Sequence, residues 1–105
     1  MKFTVGEFLT KLPLAANDKW KDGIWDVEPF EKDGIKLVFF APLGKDYQTF
    51  HDEDEFYFIA RGNGELIIDE AVNVFEAGDV FFVAAKVPHR FVNFSDDFAT
   101  WAVFF

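Results

Sequence analysis

From Trp20 to the C-terminus, short runs of Ile, Val, Phe and Tyr are broken every several residues by Gly, Pro, Asp or Asn, the pattern of many short strands. The runs predict strands near 24–30, 35–41, 48–51, 56–61, 64–68, 72–75, 79–84, 89–93 and 99–105. The opening stretch differs. Val5, Phe8, Leu9 and Leu12 recur at helical spacing, with Thr4 as a cap and Pro13 as a stop, so one short N-terminal helix or turn is expected. Asp33-Gly34 suits a type I′ hairpin, Gly62-Asn63-Gly64 offers positive-φ positions, and Asp69-Glu70 precedes another reversal. Antiparallel pairing of consecutive strands is the expectation, and the fold class is all-β. Val80-Phe81-Phe82-Val83 is apolar on both faces. One face would line the interior and the other meet a second sheet or a subunit, which predicts a homodimer.

Composition adds bounds to this picture. At 105 residues the chain suits one domain with one core, able to bury roughly 65% of the surface its unfolded form exposes. Half the residues are hydrophobic and sixteen are Phe, so apolar area is ample. Cysteine is absent, so any metal must use His, carboxylate or hydroxyl ligands. The net charge of −9 repels phosphate backbones and anionic lipid surfaces, so neither nucleic-acid nor membrane partners are expected. The N-terminus lacks the apolar core of a signal peptide and no stretch suits a bilayer span, which makes a cytoplasmic location the expectation.

The candidate chemistry lies with the two histidines, His51 and His89, both at strand ends. His51 is followed by Asp52-Glu53-Asp54-Glu55. On one straight strand His51 and Glu55 would lie about 13 Å apart, too far to share an ion whose ligand bonds are about 2.1 Å. They meet only if Asp52-Glu53-Asp54 turns the chain. Two imidazoles and a carboxylate then suit a divalent metal, Fe(II), Mn, Ni or Zn, with positions left for water or substrate. The competing structural use is an exposed His51, a hydrogen-bonded His89 inside the barrel, and an acidic run that is a solvated turn.

Spacing bears on that choice. His51 and Glu55 are separated by three residues and Glu55 precedes Gly62 by six intervening ones, while Gly78, His89 and Asn93 fall at intervals of eleven and four. The chain thereby resembles the cupin family, whose motifs are G-x5-H-x-H-x3,4-E-x6-G and G-x5-P-x-G-x2-H-x3-N. The first motif histidine falls on Thr49, and the Pro and Gly of the second fall on Ala84 and Lys86, with Pro88 just before His89. Only four residues rather than five separate Gly44 from Thr49.

The resemblance implies a double-stranded β-helix (jelly-roll) barrel over 21–105 behind an N-terminal extension of 1–20. It also implies a divalent metal held by His51, Glu55 and His89. Thr49 would be a weak ligand or stand just outside the coordination sphere. Strand parity places Tyr57 with Glu55, Phe91 with His89, and Tyr47 with Thr49 and His51. These aromatics, with Asn93, are expected to line the cavity, core packing being their competing use. Two functions stay open: a metal-dependent enzyme of dioxygenase or isomerase type acting on a small molecule, and a non-catalytic module binding a small ligand with weak or no metal. Tyr57, Tyr47 and Glu53 are the candidates for a general base.

Overall fold

The computed structural model describes all 105 residues. Helix α1 (Val5–Leu9) begins where the Thr4 hydroxyl accepts the Glu7 amide at 3.2 Å, as its capping residue predicts. Eight strands follow: β1 (Asp26–Lys32), β2 (Ile35–Phe40), β3 (Glu55–Arg61), β4 (Asn63–Ile68), β5 (Ala71–Glu76), β6 (Val80–Val83), β7 (His89–Val92) and β8 (Ala99–Phe104). They form two antiparallel sheets, in the orders β1-β2-β8-β3-β6 and β5-β4-β7.

Consecutive pairing holds only at two hairpins. Asp33 and Gly34 both take positive φ between paired Lys32 and Ile35, and Asp69 and Glu70 do the same between paired Ile68 and Ala71. Both are the geometry of a two-residue type I′ turn. The Gly62-Asn63-Gly64 segment instead carries the chain from one sheet to the other, because β3 and β4 lie in different sheets. Gly62, at φ 84°, passes so close to Phe98 that a Cβ there would sit 2.8 Å from the Phe98 Cα, so the corner excludes any side chain. Pro29 lies on edge strand β1 within a break in register between Val27 and Phe30, where its missing N–H breaks no ladder.

The expected strand at 48–51 does not form. The Gln48 amide is taken by the Asp46 carboxylate at 3.0 Å, a local bond that competes with a ladder. Only the carbonyls of Thr49 and His51 reach across, accepting from the amides of His89 (2.8 Å) and Lys86 (2.6 Å).

Side chains of β2 and β8 alternate between two apolar clusters. Inside the barrel, Phe75, Phe91 and Phe98 meet edge-on or tilted with centroids 4.7–5.5 Å apart and pack with Ile59 and Leu66. Outside, Phe8 of α1 covers Phe39 of β2 and packs edge-on to Trp101 of β8. The β3–β6 part of that outer face stays bare: Phe58, Val80, Phe82 and Phe105 are exposed, and Phe56 stacks on Phe105 at 5.6 Å. The inward rows also change character along their length. On β3 they run Ile59, Tyr57, Glu55, and on β7 Phe91, His89, so an aromatic core at one end gives way to polar groups at the other.

Candidate metal centre

The polar end opens into a cavity of about 390 Å³, within the range of small-ligand sites. Its wall includes Val38 and Phe40 from β2, Glu55 and Tyr57 from β3, Ala102 and Phe104 from β8, and Gln48 and His51 from the preceding loop. Ala102 is paired with both Tyr57 and Val38, so a small side chain sits between larger neighbours and leaves the space open. Asp26, Glu28, Glu53, Lys19 and Lys36 also line it, and Lys36 and Glu53 form an ion pair at 3.6 Å.

His51, Glu55 and His89 converge. Each offers a ligand atom within 4.8 Å of the others. That is a little wider than the ~4.2 Å spanned by two opposed 2.1 Å bonds, so small side-chain rotations bring all three to one centre. The turn at Asp52-Glu53-Asp54 makes this possible: Asp54 is fixed on both sides, its carboxylate accepting from the Ala85 amide and its carbonyl from the Phe105 amide.

The environment of each ligand is specific. His89, 4% exposed, has Nδ1 2.9 Å from the Val87 carbonyl, an acceptor only, so Nδ1 carries a proton and Nε2 points into the site. Nε2 lies 3.1 Å from both Glu55 Oε1 and the Tyr57 hydroxyl. Burial acts to lower the His89 pKa, but the Glu55 carboxylate and the Val87 carbonyl outweigh it and the net shift is upward. Burial lowers the His51 pKa, with Glu55 opposing. Glu55 is 1% exposed, and its Oε1 meets the His89 Nε2 at 3.1 Å. A buried carboxylate facing two imidazoles matches the donor set of a divalent cation, so the residues fit a metal.

The other expected site residues divide. Tyr57 lines the cavity, buried and packed against His89. Burial and the neighbouring Glu55 push its pKa well up, so it stays a phenol and donates rather than acting as a base. Thr49 is exposed and outside the cavity wall, because its carbonyl is turned to the His89 amide. Tyr47 packs edge-on against Trp20 at 5.3 Å and donates to Asp22, outside the wall. Phe91 is core. Asn93 is exposed, and its φ of 50° turns the chain away after β7, leaving its amide to donate to Glu65 at 2.6 Å.

Sequence reasoning missed Gln48, Asp46 and Asp26. Buried Asp46 accepts from the Gln48 amide, the Gln48 side chain (2.6 Å) and the Phe91 amide (2.9 Å), tying the loop to β7. Asp26 lies in the cavity wall, its pKa raised by burial and lowered in part by His51. No spacing rule marks these positions, since they belong to a loop and to the start of an edge strand.

The cupin domain family profile matches residues 36–105. The chain belongs to the cupin family. Among solved cupins, a conserved barrel domain protein from Salinispora arenicola CNS-205 superposes with a TM-score of 0.64 at 25% identity, covering 76% of this chain and 73% of that one. A cupin-2 domain protein from Shewanella frigidimarina NCIMB 400 gives 0.69 at 12% identity over 96% and 91%. KdgF from a Halomonas species gives 0.66 at 16% over 75% and 74%. At those two lower identities the likeness is one of fold. An uncharacterized Streptomyces coelicolor protein, SCO3923, is 32% identical over 59 residues, and the match spans 56% of each chain. The cupin frame gives one backbone feature a meaning: Lys86, where the motif has Gly, still holds a φ of 66°, so the turn before His89 is kept without the residue that favours it. No helix is long and apolar enough to cross a membrane.

Proposed function

We propose that this cupin binds a divalent metal through His51, Glu55 and His89 and acts on a small oxygen-bearing molecule held in the adjoining cavity. The convergence of His51, Glu55 and His89 on one point, with the carboxylate and His89 buried, carries the reading, because two imidazoles and one carboxylate are the donor set of a divalent ion. An ion bound there supplies Lewis acidity toward a carbonyl or hydroxyl or, as Fe(II), redox chemistry, which makes isomerase and dioxygenase the reaction classes. The protein's own groups have distinct parts. The Tyr57 phenol donates a hydrogen bond into the site, Lys36 and Lys19 meet anionic parts of a substrate at the wall, and Val38, Phe40 and Phe104 keep water from its apolar parts.

Protein purified without chelator is expected to hold near-stoichiometric metal by elemental analysis. Oxygen uptake with small phenols, keto acids and thiols, or solvent-deuterium incorporation without oxygen uptake, then separates dioxygenase from isomerase. Metal-free protein that ignores every cation tested overturns the proposal. One observation favours the second reading, a binding module without turnover: His51, Gln48, Tyr57 and His89 already satisfy one another by hydrogen bonds without an ion. A ligand recovered bound and unchanged would decide for it.

We further propose that a second copy of the chain covers the bare β3–β6 face. That face lies beside the unpaired edge strand β6 and consists of Phe and Val side chains, so under a two-fold axis both surface and edge are self-complementary. On a chain of charge −9 it offers an oppositely charged partner nothing to grip. Sedimentation is expected to give a dimer for the native sequence and a monomer for Phe82→Asp. A native protein that stays monomeric at high concentration overturns this.

A further inference from the structure

In place of the imidazole that Thr49 lacks, we infer that the side-chain oxygen of Gln48 is a fourth metal ligand. Thr49 is exposed, whereas Gln48 turns into the cavity wall. The amide has one possible orientation. Its Nε2 lies 2.6 Å from Asp46 Oδ2, a carboxylate oxygen that can only accept, so the amide nitrogen faces it and Oε1 faces inward. There Oε1 accepts from His51 Nε2 at 3.1 Å and from the Tyr57 hydroxyl at 3.2 Å. Tyr57 in turn reaches His89 Nε2, and His89 reaches Glu55 Oε1, each at 3.1 Å. Gln48 Oε1 is therefore one hydrogen bond from His51 and two from His89, on the wall of the cavity that the three ligands also border.

The support behind the amide is that of a ligand. Asp46 is 3% exposed and accepts three N–H groups, two from Gln48 and one from the Phe91 amide. The carboxylate thus locks both the backbone and the side-chain end of Gln48 to the strand that carries His89, as partners behind metal ligands do. A neutral, hard amide oxygen in place of an imidazole gives a set of two imidazoles, one carboxylate and one amide, which shifts the site's preference, relative to a three-imidazole set, toward ions that take oxygen ligands readily, such as Mn2+ or Fe2+. This deepens the metal-binding reading above and rests on it.

The probe is Mn2+ alone, with its affinity and the number of exchangeable waters on the bound ion both read by water-proton relaxation. Gln48→Ala is expected to weaken Mn2+ at least about tenfold and to add one bound water where the amide oxygen leaves. Thr49→Ala is expected to match the native protein in both. If Gln48 only oriented His51, affinity would fall in Gln48→Ala with no added water, and that result overturns the inference. Native affinity and water number in Gln48→Ala overturn it too, while leaving the three-ligand site in place provided His89→Ala still loses Mn2+. A native protein that takes up no Mn2+ or other divalent ion overturns both readings together.

Discussion

Given a divalent ion at about 100 times its Kd, the native protein is expected to gain about 2.7 kcal/mol of stability, a rise of about 10–20 °C in Tm for a domain of this size. Glu55→Gln and His89→Ala are expected to gain almost none of it. An ion that binds only the folded chain stabilises it by mass action, and the three ligand atoms come together only in the fold, since His51 and His89 lie on different segments. Glu55→Gln tests charge almost alone: the side chain keeps its shape, but the one anionic ligand is gone. His89→Ala removes the group whose Nδ1 is fixed by the Val87 carbonyl and whose Nε2 faces the site. The measurement is thermal unfolding followed by circular dichroism, with and without Mn2+ or Ni2+. Equal rises in the native and both variant proteins would place the ion elsewhere on this acidic chain and sink the assignment.

Much of this site was legible because its parts obey short-range rules. The I′ turn at Asp33-Gly34 was readable because two-residue hairpins demand positive φ and this pair supplies it, whereas Asp69-Glu70, without a glycine, marked a reversal but not its type. His51, Glu55 and His89 were readable because motif spacing fixes which strand ends meet, although the meeting itself depends on the 52–54 turn. Strand order was not legible, because alternating patterns report which face is buried and not which neighbour pairs with it. Parity then misled at the loop. It placed Tyr47, Thr49 and His51 on one face as though 48–51 were extended, whereas the Asp46 side chain captures the Gln48 amide and turns Gln48 inward instead. Parity held on β7, where Phe91 does point inward with His89; what it lacked was depth. The barrel interior is apolar at one end and polar at the other, and two residues along a strand are enough to pass from site to core.

That distinction in depth gives the second large effect. Phe91→Ala is expected to cost about 3–5 kcal/mol of folding stability, a large part of the roughly 5–15 kcal/mol that holds a domain together. Phe91 is 1% exposed and its ring meets Tyr57 at 4.8 Å, Phe98 at 4.7 Å, Phe75 at 5.5 Å and Phe40 at 6.2 Å. Four aromatic neighbours cannot all collapse into the space one ring leaves, so the cavity term adds to the lost transfer energy. Phe91→Leu, which keeps most of the volume, is expected to cost well under half as much. Chemical denaturation measures both, and the metal affinity of whatever fraction remains folded is expected to be unchanged in Phe91→Leu, because the Phe91 amide that Asp46 holds is retained. If Phe91 were instead a wall of the ligand cavity, Phe91→Ala would fold at near-native stability and lose small-molecule affinity. That outcome would return the ring to the site and move the boundary between core and cavity one step down β7.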